Sequence, residues 1–232
     1  EHLIIIIRCF FVINMLLYLY DESNFALLSN KLSEYTFYDI AHFLDLYVQV
    51  EKIKLLDNCD DVYLEIFCPK KVWDITRDAI LVLPGGGYIY LSEKFEGEPV
   101  ALSFASKGTN AFVLHYSVGR KRRFPQQLIE VAAAIKHIKD NHAKYNINPD
   151  RVFVTGFSAG GHLAAMVSNM PGEPISRPDA SILCYAVLSA NPELMHSGSF
   201  QNLFGCEPEK SVRDQFSWPE VANADTPPAF LW

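Results

Sequence analysis

Residues 151–167 read RVFVTGFSAGGHLAAMV, and the stretch changes character in its middle. Arg151–Thr155 is rich in β-branched and aromatic residues, as a strand covered on both faces requires. Leu163–Met166 is built of good helix formers. Between them stands Gly156-Phe157-Ser158-Ala159-Gly160. Glycines two residues before and after Ser158 remove side chains that would collide across a tight strand-to-helix bend. A serine hydroxyl is a poor nucleophile unless it is presented openly beside a base. The bend supplies the presentation, and the helix behind it points its positive end at the same place. Ser158 is therefore the candidate nucleophile, and its backbone φ is expected to be positive or otherwise strained.

A second signal lies upstream. Ala79–Leu83 is continuously apolar and runs into Pro84-Gly85-Gly86-Gly87-Tyr88. Acyl transfer places charge on a carbonyl oxygen, and that charge needs preorganised N–H donors. Glycines let the backbone come close and turn its N–H groups inward. Gly86 and Gly87, with Ala159, are the expected oxyanion donors. A phosphate-cradling loop would instead carry GxGxxG or end in GK[ST], and neither is present.

Around these two motifs, short β-rich runs alternate with helical patterns from about residue 46. The fold class is α/β, with a mostly parallel central sheet and helices on both faces. Tyr47–Leu55 and Asp61–Phe67 read as an opening antiparallel pair joined at Asp57–Asp60. A helix is expected over Pro99–Lys107 and a strand over Ala111–Leu114. Pro125 opens a longer helix with Leu128, Val131, Ala132, Ile135 and Ile138 on its buried stripe. Asn148-Pro149-Asp150 reads as a turn, Ile182–Leu188 as a strand, and Ala229–Trp232 as the beginning of another.

Of the 232 residues, 50% are apolar and the formal net charge is −7. That supports one sizeable core and offers no basic footprint for nucleic acid. The one dense basic run, Arg120-Lys121-Arg122-Arg123, reads either as a solvated loop or as a contact for an anionic substrate group. Cys9, Cys59, Cys68, Cys184 and Cys206 are scattered without metal-ligand spacing, so neither a zinc site nor a disulfide framework is expected. No cofactor is implied. This cysteine usage fits a reducing compartment, and Cys184 reads as a buried thiol. Leu3–Tyr20 is an apolar run interrupted by Arg8 and Asn14, marginal for a membrane span of roughly 20 residues. Membrane contact through residues 3–20, a signal, or a loosely attached extra helix all remain open, and so does localisation. Residues 1–45 form a poorly determined segment and connector ahead of a domain over 46–232.

The stretches AILVLPGGGY, VLHYSVGRKRRFPQQ, NINPDRVFVTGFSAGGHLAA, GSFQNLFG and TPPAFLW together resemble the acetyl-xylan-esterase-like carbohydrate esterases. These belong to the α/β-hydrolase superfamily and are relatives of the hormone-sensitive-lipase group. Pro84, where the latter carry His, favours the carbohydrate-esterase branch. The resemblance covers roughly residues 46–232. It implies serine-dependent hydrolysis of short acyl esters, acetyl groups on carbohydrate among them, with a small-molecule or oligosaccharide ester as substrate.

Such an enzyme also needs an acid and a histidine, in the order Ser, Asp, His. His162 lies on the nucleophile helix and reads as a packing residue. His196 has no acid near it. Asp179 and Asp225 precede strands, which is the wrong end of the sheet. His115, at a strand terminus, reads as a satisfied structural histidine or as a residue lining the substrate cleft, and Tyr88 is a candidate for lining that cleft. In the resembled family the acid and histidine follow TPPAFLW, so both are expected beyond Trp232 and the domain is expected to be C-terminally incomplete. A peptidase or lipase on the same fold, and a non-catalytic binding protein, are the competing readings.

Overall fold

The structure is a computed structural model that describes residues 48–56, 61–69, 77–119, 122–170, 172 and 174–232. The apolar run Leu3–Tyr20, the connector up to residue 45, Tyr47 and the turn Asp57–Asp60 lie outside the described residues. Arg120 and Lys121 do so too. A seven-stranded sheet has the order β1-β2-β4-β3-β5-β6-β7. Its strands are β1 (Val48–Lys54), β2 (Tyr63–Pro69), β3 (Arg77–Leu83), β4 (Asn110–His115), β5 (Ile147–Phe157), β6 (Ala180–Cys184) and β7 (Ala229–Leu231). β2 runs antiparallel to both β1 and β4, and every other neighbouring pair is parallel.

Side chains alternate across this sheet and fill two separate cores. Ala79, Leu81 and Leu83, with Phe112, Leu114, Val152 and Val154, face one side. Ile80, Val82, Ala111 and Val113 face the other, with Phe153 packed against them. The strand period of two therefore explains why β3 and β4 read as unbroken apolar runs: each face is covered. The first core is covered by α3 (Gln126–Asp140) and by α5 (Ala159–Asn169), and the second by α2 (Glu98–Ser106). A short α1 (Glu93–Glu96) precedes α2, and α4 (His142–Tyr145) follows α3. Val131, Ile135 and Ile138 of α3 are buried as expected, while Leu128 and Ala132 pack at the margin of the same core.

Two sequence expectations are corrected. Asn148–Asp150 is not a free turn but an excursion inside β5. Ile147 pairs with Arg77, the register then shifts, and Val152 pairs with Ala79. Within the excursion the Asp150 N–H donates to Asn148 Oδ1 at 2.9 Å. The run after β5 also ends earlier than expected: β6 stops at Cys184 and Tyr185 takes φ 36°. Tyr185 N–H still donates to Trp232 O, one last step of the β6–β7 ladder, and the positive φ of Tyr185 then turns the chain so that Val187 N–H donates to Ser158 O.

Asp179 serves the opposite end of the sheet from Ser158. Its carboxylate accepts from Val152 N–H at 2.8 Å and from Lys139 Nζ at 3.1 Å. Asp179→Ala is expected to lower stability by about 1–3 kcal/mol, the range for a charge-assisted bond to partly buried donors. Urea midpoints of the two forms measure it, and ester turnover at a fixed enzyme concentration should stay the same.

Candidate active site

Ser158 sits between β5 and α5 with φ 50° and ψ −114°, a conformation that L side chains avoid and that must be held from outside. Gly156 shows why the motif needs glycine: a Cβ there would collide with the carbonyl of Gly160. The bend is anchored on three sides. Ser158 N–H donates to Cys184 O at 3.0 Å, and Ser158 O accepts from His162 N–H at 3.0 Å and from Val187 N–H at 3.3 Å.

The triple-glycine turn lies directly against this bend. A Cβ built on Gly85 would stand 3.2 Å from Ser158 Cβ. Gly86 has φ 126°, Gly87 has φ 62° and Tyr88 has φ 61°, so the turn passes through three consecutive left-handed positions. Gly86 must be glycine, since a Cβ would run into the Tyr90 carbonyl. The Gly85 N–H is engaged by Glu96 Oε2 at 2.7 Å. The N–H groups of Gly86 and Gly87 have no acceptor among the described residues. Ala159, buried at the first position of α5, contributes an N–H that a helix start leaves unused. The glycine turn and the strained serine therefore lie side by side at the carboxyl ends of β3 and β5.

Several bonds hold the turn in place. Tyr116 donates its phenol to Pro84 O at 2.5 Å, and Asn202 Nδ2 donates to Gly87 O at 2.9 Å. Glu96, besides binding Gly85, accepts from Tyr185 OH at 2.7 Å. Burial and the Glu96 carboxylate push the Tyr185 phenol far above its usual range. Glu96, Tyr185 and Asn202 were not foreseen. Asn202 lies inside the quoted GSFQNLFG, but neither Glu96 nor Tyr185 carries a local signal, because only the folded chain brings them to Gly85.

The other candidates separate. Tyr88 is 1% exposed and its hydroxyl meets His162 Nδ1 at 2.7 Å. Its phenol therefore lies in the core, and a substrate contact through that ring gives way to a structural one. His115 stacks on Tyr63 with ring centroids 3.9 Å apart. Its Nε2 faces Glu65 at 3.2 Å and its Nδ1 faces Glu93 at 2.9 Å. With both nitrogens taken and the ring buried, His115 ties α1 to β2 rather than lining an open cleft. His196 caps α6 (Ser197–Phe204), its Nδ1 lying 2.8 Å from Ser199 Oγ. His162 packs among Phe200, Phe216 and Trp218. Among the described residues no imidazole or carboxylate is hydrogen-bonded to the Ser158 hydroxyl. Likewise no described group of His, Cys, Asp and Glu is arranged to hold a metal ion, and no described helix is long and apolar enough to cross a membrane.

Comparison with known proteins agrees with this geometry. Residues 64–175, which span both the glycine turn and Ser158, match the BD-FAE family. An acetyl ester-xyloside bifunctional hydrolase from Caldicellulosiruptor lactoaceticus superposes with a TM-score of 0.71. It is 33% identical, over 81% of this chain and 75% of that one. The chain belongs to the BD-FAE family of α/β hydrolases. MGS-M1, an α/β hydrolase from a deep-sea metagenome library, is also 33% identical, with a TM-score of 0.62 over 80% of this chain and 68% of that one. Among curated proteins, acetylxylan esterase of Xylanibacter ruminicola is 35% identical over 66% of this chain. This α/β hydrolase chain spans only 32% of that relative's length.

Proposed function

We propose that the protein hydrolyses short acyl esters, acetyl esters of carbohydrates above all, through an acyl-enzyme on Ser158. The observation that carries this is the contact between the strained Ser158 bend and the glycine turn, whose Gly86 and Gly87 N–H groups have no acceptor among the described residues. Ser158 Oγ attacks the ester carbonyl as a base removes its proton. The new oxyanion is stabilised by the N–H groups of Gly86, Gly87 and Ala159. The intermediate collapses with cleavage of the bond to the alcohol oxygen, which takes up the proton. Water then repeats the sequence on the acyl-enzyme and releases the acid. Each oxyanion donor is worth about 2.7–4 kcal/mol of barrier. The acetyl and carbohydrate preference is supported by the names of the Xylanibacter and Caldicellulosiruptor relatives.

The test is release of acetate from acetylated xylo-oligosaccharides by the full-length protein, beside 4-nitrophenyl esters of two, four and eight carbons. Acetate release, with rates falling as the acyl chain lengthens, is expected. Preference for the eight-carbon ester would make it a lipase, cleavage of peptides alone a peptidase, and no turnover of any of them a binding protein.

A further inference from the structure

Beside the glycine turn lies a cavity of about 560 Å³, a size that suits a small organic ligand. Ile89 forms the wall shared with the turn, and Arg123, Gln201, Asn202 and Glu207 stand around it. Two bonds fix the cavity to the turn itself: Asn202 Nδ2 to Gly87 O at 2.9 Å, and Gly119 N–H to Tyr88 O at 2.8 Å. Whatever binds there is therefore held in register with the proposed oxyanion donors.

The lining decides what that ligand can be. Glu207 is oriented from two sides, by Gln201 Nε2 at 2.8 Å and by Arg213 Nη1 at 3.3 Å. Covering amides, a guanidinium and a carboxylate with an acyl chain would strip their water without replacing it, which costs free energy. A sugar ring offers paired hydroxyl donors and acceptors on its rim and a C–H face that Ile89, 60% exposed, can take. We propose that this cavity is a subsite for a sugar ring of the alcohol part of the substrate, next to the ring that bears the acyl group. It rests on the esterase reading of Ser158 and extends it from the acyl group to the leaving group.

Two variants test it at positions that are exposed and outside the Ser158 bend: Cys206→Trp, which fills the cavity wall, and the double change Gln201→Ala with Glu207→Ala. The readout is the ratio of kcat/KM for an acetylated xylo-oligosaccharide to kcat/KM for 4-nitrophenyl acetate, which has no sugar. Each variant should lower that ratio about tenfold, mainly through KM for the oligosaccharide, as expected for one or two lost hydrogen bonds. A ratio that stays the same overturns the subsite, whether or not both rates fall together. If the unaltered protein turns over neither ester, the esterase reading fails and the subsite is read by binding instead. Deacetylated xylo-oligosaccharide is then titrated into the Ser158→Ala form. Binding weakened about tenfold by Cys206→Trp upholds the subsite, and absence of binding, or binding indifferent to that change, overturns it.

Discussion

Replacing Ser158 by alanine is expected to reduce ester turnover by the full-length protein on the order of 10⁵- to 10⁶-fold, leaving only the residual rate that bound water and oxyanion donors give. The size follows from what is lost. Without Oγ there is no covalent intermediate, so one demanding attack by water replaces two easier steps. The glycine turn stays intact, because its own bonds come from Tyr116, Asn202 and Glu96 rather than from the serine side chain. Alanine keeps the Cβ and the φ 50° that serine already accepts, so no backbone strain is added and stability should stay within about 0.5 kcal/mol. Initial rates on 4-nitrophenyl acetate measure the first effect and urea midpoints the second. Turnover that survives the substitution within tenfold would remove Ser158 from the chemistry and with it the acyl-enzyme.

What could be read from the chain, and what could not, divides along a physical line. Elements whose signal is local were legible. The β3 and β5 runs are apolar because both faces of the sheet are covered, and the Gly156 and Gly86 positions are dictated by collisions with the backbone only a few residues away. The strain at Ser158 was foreseeable for the same reason. Contacts made across long separations in sequence were not legible. Tyr88 looked like a cleft residue because it follows the glycines, yet a bond spanning 74 positions draws its ring inward to His162. His115 looked available at a strand end until the fold placed a carboxylate from β2 and another from α1 on its two nitrogens. The early end of β6 has the same origin. Ile182–Leu188 has strand composition throughout, but Tyr185 turns at φ 36° and the Ser158 carbonyl, 29 positions away, takes the Val187 N–H. The Glu96 carboxylate then draws the Tyr185 phenol toward the turn.

The pairing of Tyr88 with His162 sets a second large effect, on stability against acid. His162 is buried among Phe200, Phe216 and Trp218, and its Nε2 has no hydrogen-bond partner among the described residues. One hydrogen bond joins the phenol to Nδ1, and Nε2 faces aromatic rings rather than a polar group. A second proton would put a full charge where no water reaches, and burial accordingly lowers the pKa from 6.5 to about 3. In the unfolded chain the same imidazole titrates at its ordinary value. Between these two values the unfolded state binds the extra proton and the folded state does not, so stability rises with pH through that window. The contribution is complete above about pH 6.5 and declines as the pH falls toward 3. At pH 4.5 the loss should be on the order of 2–3 kcal/mol, since each pH unit in the window is worth about 1.4 kcal/mol. His162→Asn keeps a neutral acceptor for Tyr88 and cannot be protonated, so its stability should change less between pH 7.5 and 4.5 by that amount. Urea midpoints of the two proteins at both pH values give the difference directly. The imidazole signal of His162 in a nuclear magnetic resonance titration should also show the neutral form down to pH 4.5. A His162 that titrates near 6.5 in the folded protein, or equal acid sensitivity in the two forms, would mean that water enters this aromatic box. The bond holding the glycine turn to the nucleophile helix would then be weaker than its 2.7 Å length implies.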